Sequence, residues 1–173
     1  MPSLVGSEMC IRDREYEATF VLGSTSATGD AEGPISPVGD APVPTTEEVL
    51  EHVGRFRGVI EQVPHAYSAV KVNGTPSYRL ARRAETADLQ PRQIRIEALD
   101  VVRFDYPEMD VRIVCSKGTY VRSLAADLGE SLACGAYVKH LHRIRVGRLD
   151  LPLALTLDAV AIAVRNEKLT EHF

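Results

Sequence analysis

The chain has 173 residues, 45% hydrophobic and 25% charged, with a net charge of −4. That length supports one domain with a real core, and the composition is that of an ordinary globular chain, not a disordered or fibrous one. No apolar run reaches membrane-spanning length, the first residues lack the basic-then-apolar order of a signal peptide, and three scattered cysteines make neither a disulfide framework nor a zinc site, so a reducing cytoplasm is the expected compartment.

Residues 1–13 do not read as part of the domain. Leu4-Val5-Gly6-Ser7-Glu8-Met9-Cys10-Ile11-Arg12-Asp13 back-translates as CTC GTG GGC TCG GAG ATG TGT ATA AGA GAC, a string that resembles the transposase-derived adapter of sequencing libraries. These residues are therefore expected to be non-native, with the native protein starting near Arg14 or Glu15. Residues 16–22 alternate Tyr16, Ala18, Phe20 and Leu22 with Glu17 and Thr19, as a half-buried strand does. Residues 23–44 are rich in Gly, Ser, Pro and Asp and read as a loop long enough to carry a task. Thr45 with Glu48 three residues on is a capping-box signature for a helix to about Phe56. Residues 66–72 read as a strand closing at the Asn73-Gly74 turn, and Pro76 can open a short helix to Arg83.

Strands are expected at 94–104 and 111–116, then a Lys117-Gly118 turn and a helix over 119–132. That helix carries Val121, Leu124, Ala125, Leu128 and Leu132 at three- and four-residue spacing, an apolar face for a core. Thr119 can cap its start and Gly135 its end. Residues 137–148 alternate only loosely, mixing strand with turn, and a short helix is expected at 158–165. Strands and helices do not alternate strictly, so the fold class is α+β with a mixed, mainly antiparallel sheet and flanking helices.

Tyr120 and Arg122 sit where the strand hands over to the first helical turn, a rigid place that can present side chains to a cleft. A cation there runs against the helix dipole, which favours acids at a helix start. Something beyond local stability therefore wants Arg122, although packing for Tyr120 and solvation for Arg122 are the plain alternatives. Charge is segregated. Lys139, Arg143, Arg145 and Arg148 with His140 and His142 precede any acid before Asp150, and Lys71, Arg79, Arg82 and Arg83 form a second basic group. Acids gather at Glu47, Glu48 and Glu51. A polyanion could use the basic side, and two solvated faces are the alternative.

Four ordered windows carry a resemblance. They are Glu15-Tyr16-Glu17-Ala18-Thr19-Phe20-Val21-Leu22-Gly23 with Thr28-Gly29-Asp30-Ala31-Glu32-Gly33; Gln62-Val63-Pro64-His65-Ala66-Tyr67-Ser68-Ala69-Val70-Lys71-Val72-Asn73-Gly74 with Tyr78, Ala81 and Arg82; Cys115-Ser116-Lys117-Gly118-Thr119-Tyr120-Val121-Arg122; and Cys134-Gly135-Ala136-Tyr137-Val138 running to Leu141-His142-Arg143. In this order and spacing the chain resembles the TruB family of tRNA pseudouridine-55 synthases over roughly residues 14–165. The resemblance implies the pseudouridine synthase fold, with 14–150 a portion of the catalytic domain and 151–173 the start of a C-terminal region.

The implied reaction isomerises uridine in the T-arm stem-loop of tRNA. The base leaves its N1–ribose bond, turns and rejoins through C5, so neither metal nor other cofactor is required. It needs a nucleophilic carboxylate, a group to take the C5 proton and a flat surface for the flipped ring. By resemblance, Tyr16 lies beside the target ring and assists at C5, although a phenol is a poor base at neutral pH unless its surroundings change it. Tyr120 stacks on the uracil, Arg122 pairs with the catalytic aspartate and Leu141 lines the pocket. Lys71 and the Asn73-Gly74 turn support the site, with Lys71 and Arg143 as candidate RNA contacts.

The chain departs from the family's pattern at several points. His65 stands where a second proline is common, His142 replaces a common arginine, and the loop around Asp30 has fewer acids than in many relatives. The Gly- and Leu-rich motif that bears the nucleophilic aspartate is absent upstream of Tyr16. Arg122 is therefore expected to face a half-open cleft unpaired, and the chain as it stands is expected to be inactive. A monomer is expected. The competing reading is a non-catalytic RNA-binding or RNA-folding protein.

Overall fold

The computed structural model describes residues 13–83, 85, 88–147 and 149–150. The expected helix at 158–165, Arg148 and residues 1–12 lie outside them. Its centre is β1 (Arg14–Leu22), hydrogen-bonded on one side to β8 (Glu108–Cys115) and on the other to β9 (Ala136–Val146). With β7 (Arg92–Asp105), β4 (Gly58–Gln62) and β10 (Leu149–Asp150), they form a six-stranded sheet ordered β10-β9-β1-β8-β7-β4, each pairing antiparallel. The sheet meets the α+β, mainly antiparallel expectation.

Alternation along β1 sets the two faces. Ala18, Phe20 and Leu22 are buried, joining Met109, Val111 and Ile113 from β8 and Ile96 and Leu99 from β7 in one core. Two helices cover that face, α1 (Thr46–Arg55) and α3 (Val121–Ser131). The capping box at α1 forms as the sequence predicts: Thr45 N–H donates to Glu48 Oε2 at 2.8 Å, and Glu48 N–H donates to Thr45 Oγ1 at 3.3 Å. On α3, Val121, Leu124, Ala125, Leu128 and Leu132 are all buried. The helix ends differ from expectation. Tyr120 holds the cap position with no side-chain bond, while the Thr119 hydroxyl turns back to donate to Ser116 O at 3.0 Å. At the other end Leu132 is the cap and Ala133 takes the left-handed conformation, φ 55°, two residues before Gly135. Gly129 lets α3 approach β9: a Cβ there would lie 2.2 Å from Ala136 N.

Three elements depart from the sequence reading. β9 is one continuous strand, because register shifts between Glu15/Tyr16 and Thr19/Phe20 break its alternation without breaking its pairing. β4 carries no periodic signal in the sequence, being a five-residue edge strand with only Gln62 buried. The strand expected over 66–72 shrinks to β5 (Lys71–Val72), paired with β6 (Thr75–Pro76). Their turn has both Asn73 (φ 50°) and Gly74 (φ 82°) left-handed, and α2 (Ser77–Arg82) follows with Pro76 at its cap. Inside the loop 23–44, β2 (Ser24–Ser26) pairs with β3 (Ile35–Pro37), so the segment is anchored at its base. Among the described residues, no helix is long and apolar enough to cross a membrane.

Candidate active site

Tyr16, Tyr120, Arg122 and Leu141 line one cleft of about 220 Å3, together with His65, Tyr67, Thr119 and Val121. Four segments bring them there. β1 supplies Tyr16 and β9 supplies Leu141, two strands that pair with Ala18 opposite Leu141. The start of α3 supplies Tyr120 and Arg122, and the segment after β4 supplies His65 and Tyr67.

Tyr120 is held by its backbone. Gln62, 2% exposed, accepts from Tyr120 N–H through Oε1 at 2.8 Å and donates to Tyr120 O through Nε2 at 3.2 Å. One buried amide thus bonds both backbone groups of a residue that has no side-chain cap, the C=O also accepting from Leu124 N–H at 3.0 Å. Ser123, one residue past Arg122, donates to Val63 O at 2.9 Å, so the end of β4 is stitched to the first turn of α3 twice.

Arg122 is not left unpaired. Its Nη2 lies 2.5 Å from Asp30 Oδ2, and its Nη1 donates to Thr28 O at 3.4 Å. Asp30 itself is fully engaged: Oδ1 accepts from the Thr28 hydroxyl at 2.6 Å and from Glu32 N–H at 3.1 Å. Burial works against its charge, but the Thr28 and Glu32 bonds, Arg122 and His65 outweigh burial and hold the Asp30 carboxyl below its ordinary range. The unpaired-arginine expectation failed because Asp30 sits in a loop whose side-chain chemistry is set by tertiary contact. Val138 N–H donates to Gly29 O at 3.0 Å, pinning the loop against β9. Gly29 is needed twice there. Its φ is +74°, and a Cβ would meet His65 Nε2 at 2.8 Å and Arg122 Cβ at 3.1 Å.

His65 is half-buried between this loop and α3. Its Nδ1 accepts from Tyr67 N–H at 3.1 Å, which leaves the proton on Nε2 in the neutral ring. Burial first and Arg122 second push its pKa below the ordinary value, with Asp30 opposing them. Among the sequence-stated RNA contacts, Arg143 is exposed and faces Tyr16 across the β1–β9 ladder, while Lys71 stands in the β5–β6 hairpin outside the cleft. The basic run at 139–148 is less available than its composition suggests: Lys139 pairs with Glu108, and Arg145 donates to Glu15 at 2.8 Å. In the second basic group, Arg79 and Arg82 lie over the Tyr78 ring, at 5.9 and 5.6 Å. Gln62, His65 and Tyr67 fall inside one of the windows that carry the resemblance, where the sequence gives none of them a role in the site. Their residue types were visible, but their aim at Tyr120 and Arg122 was not.

A larger cleft of about 560 Å3 includes Glu17, Thr19, Asp110, Arg112, His140 and His142 in its lining. It has no tyrosine or phenylalanine, and Asp110 and Arg112 are already spent on Arg103 and Glu15.

The antiparallel sheet with α3 crossing its core face is the pseudouridine synthase fold. The chain superposes on a chain of a Cbf5–Nop10–Gar1 complex with a TM-score of 0.63 at 20% identity, covering 94% of this chain and 40% of that one. A chain of an H/ACA RNP bound to a substrate RNA containing 2′-deoxyuridine gives 0.58 at 19% identity, covering 95% and 39%. The protein belongs to the TruB family of pseudouridylate synthases: the family's N-terminal domain matches residues 6–121, and a C-terminal domain of tRNA pseudouridylate synthase B matches 122–172. It is 46% identical over 152 residues to tRNA pseudouridine synthase B of Burkholderia lata, covering 87% of this chain and 47% of that protein. Against the Azoarcus sp. protein of the same name, identity is 44% over 149 residues, covering 86% and 49%. The chain thus spans about half the length of the curated relatives it matches.

Proposed function

We propose that the Tyr16–Tyr120–Arg122 cleft is the uridine slot of a tRNA pseudouridine synthase, acting in the cytoplasm as a monomer on the T-arm stem-loop at position 55. The observation that carries this reading is the convergence of two phenols and a guanidinium from β1 and α3 on one cleft. Tyr120 offers the ring on which an extruded uracil stacks, worth about 1–3 kcal/mol per base. Tyr16 stands at the opposite strand for the C5 proton, and Leu141 helps keep water from the ring. Arg122, already oriented by Asp30 and Thr28 O, has three other N–H donors for a carboxylate, since a guanidinium carries five. Lys71 and Arg143 lie outside and beside the slot, as contacts for the RNA backbone.

The chain as it stands is assigned the binding half of this chemistry. No carboxylate lines the slot among the described residues, and Asp30 is spent on Thr28, Glu32 and Arg122. With both oxygens so engaged, Asp30 is a positioning group and not the attacking carboxylate. The second reading, a non-catalytic RNA-binding protein, draws on this same observation. Recovering the coding sequence before codon 15 separates the two: a Gly-Leu-Asp context there favours the enzyme. Incubating the 173-residue chain with unmodified tRNA is expected to give no conversion at position 55 while a T-arm hairpin binds. Tyr120→Ala should weaken that binding about tenfold. Pseudouridine formed by the chain alone would overturn the division of roles, and hairpin binding indifferent to Tyr16, Tyr120 and Arg122 would overturn the slot.

A further inference from the structure

Behind the slot, β1 carries an ionic cluster that touches no part of the cleft. Glu15 is 7% exposed, the one charged side chain that is buried among the described residues. Its Oε1 accepts from Arg112 Nε at 2.6 Å and lies 2.5 Å from Arg112 Nη2, and its Oε2 accepts from Arg145 Nε at 2.8 Å. Arg112 stands on β8 and Arg145 on β9, so one carboxylate ties the three central strands together. Burial works against its charge, but the bonds from Arg145 and Arg112 outweigh burial and hold the carboxyl below its ordinary range.

A buried triad of this kind is weak evidence for stability, because well-packed apolar side chains in its place often hold a fold as well or better. Its best-attested use is to fix a register. β1 and β9 have a register to fix. Arg14 faces Val146 and Glu15 faces Arg145, but the next residue, Tyr16, faces Arg143. Ile144 is the extra residue, a bulge between the clamp and the slot. Partners in a ladder share a face, so the bulge sends two arginines only two positions apart to opposite sides, Arg145 to Glu15 and Arg143 to the side of Tyr16.

If the lower register ran on without the bulge, Tyr16 would face Ile144 and Ala18 would face His142. Leu141, now opposite Ala18 and in the slot, would change faces. Apolar burial does not forbid that slip. Residues 139–143 of β9 are all exposed, so no buried side chain there penalises a shift of one residue. The choice falls to the groups on either side of the bulge, and Glu15 with its two arginines is the buried one.

We propose that Glu15, gripped by Arg112 and Arg145, is a positioning residue for the reaction: it holds the Ile144 bulge and so keeps Tyr16 opposite Arg143 and in the slot. This deepens the reading of the slot as a uridine site and rests on it.

The test uses the full chain labelled with 3-fluorotyrosine, the Tyr16 fluorine line being assigned from Tyr16→Phe. The triple variant Glu15→Met, Arg112→Leu, Arg145→Met makes the triad apolar. It should melt within a few degrees of the parent. Its Tyr16 line should shift or split in the free chain, and its affinity for a T-arm hairpin should fall about tenfold. Added to Tyr16→Ala, the triple should weaken binding by less than about twofold further, because the clamp acts through Tyr16. Arg145→Gln opens only the arm at the bulge and should give the same changes in smaller measure, so the test survives a triple that does not fold. A Tyr16 line unchanged in both variants would overturn the positioning role. So would an affinity loss as large with Tyr16→Ala as without it, which would mark the triad as a support of the whole sheet. A hairpin that binds Tyr16→Ala as it binds the parent would instead sink the uridine slot, and the fluorine line of the free chain would still judge the clamp.

Discussion

The two faces of the central sheet use charge in opposite ways. On the open face, ions neutralise one another across strands: Arg103 with Asp110 at 2.8 Å and Glu108 at 3.5 Å, Lys139 with Glu108, and Glu15 between Arg112 and Arg145. On the helix-covered face the Arg122–Asp30 ion pair stands at the mouth of an aromatic cleft, on a glycine loop and beside a half-buried imidazole. The first arrangement solvates a sheet. The second holds one cation in a fixed place with donors to spare. Charge density alone therefore does not locate a site; what matters is whether the charge is already answered.

The largest effect should come from Asp30→Ala, which strands a half-buried guanidinium: a loss of about 2 kcal/mol in denaturant melts, after discounting for Arg122's 35% exposure. If the variant melts like the parent, the pair is no more than a surface contact. Gln62→Leu should cost about 1–2 kcal/mol by leaving Tyr120's N–H unpaired, while its C=O keeps the Leu124 N–H at 3.0 Å. It should also weaken hairpin binding, whereas a purely structural Gln62 would change the melt alone.

Asp127→Asn should sharpen the contrast through pH. A carboxyl whose native pKa of about 6 lies above its model value of 3.8 binds more protons folded than unfolded between those values, so stability falls as pH rises from about 4 to 6. Removing the charge should raise stability at pH 7 by about 1 kcal/mol, discounted for partial exposure, with little change at pH 3.5. Asp30 has the reverse sign. Its native pKa lies below 3.8, so its contribution is present above that value and lost as pH falls through the native pKa. At the small end, Arg103→Ala on the open face should shift the melt by only a small fraction of the Asp30→Ala effect, because exposed pairs contribute little. A loss several times larger would erase the distinction between the faces.

Where sequence and structure agree, the signal is local or periodic. The capping box at Thr45, the Asn73-Gly74 turn and the apolar face of α3 each depend on residues within a few positions of one another. The motif order placed Tyr16, Tyr120, Arg122 and Leu141 in one set, and the cleft holds all four. What escaped was set by distance. Asp30 and Arg122 are 92 positions apart, and Gln62 and Tyr120 are 58. No window of sequence contains either pair.

By itself the sequence determined the family, the α+β class, the faces of β1 and α3, and the residues that gather at the cleft, because hydrophobic period, capping chemistry and motif spacing are written along the chain. Tertiary structure alone decided that Asp30 answers Arg122, that Gln62 grips Tyr120, that Glu15 and Glu108 consume part of the basic run, and that Asp127 is left without a described partner. Each of these is an electrostatic or hydrogen-bonding choice between groups far apart in the chain, and only the packing of the sheet against α3 brings the candidates within reach.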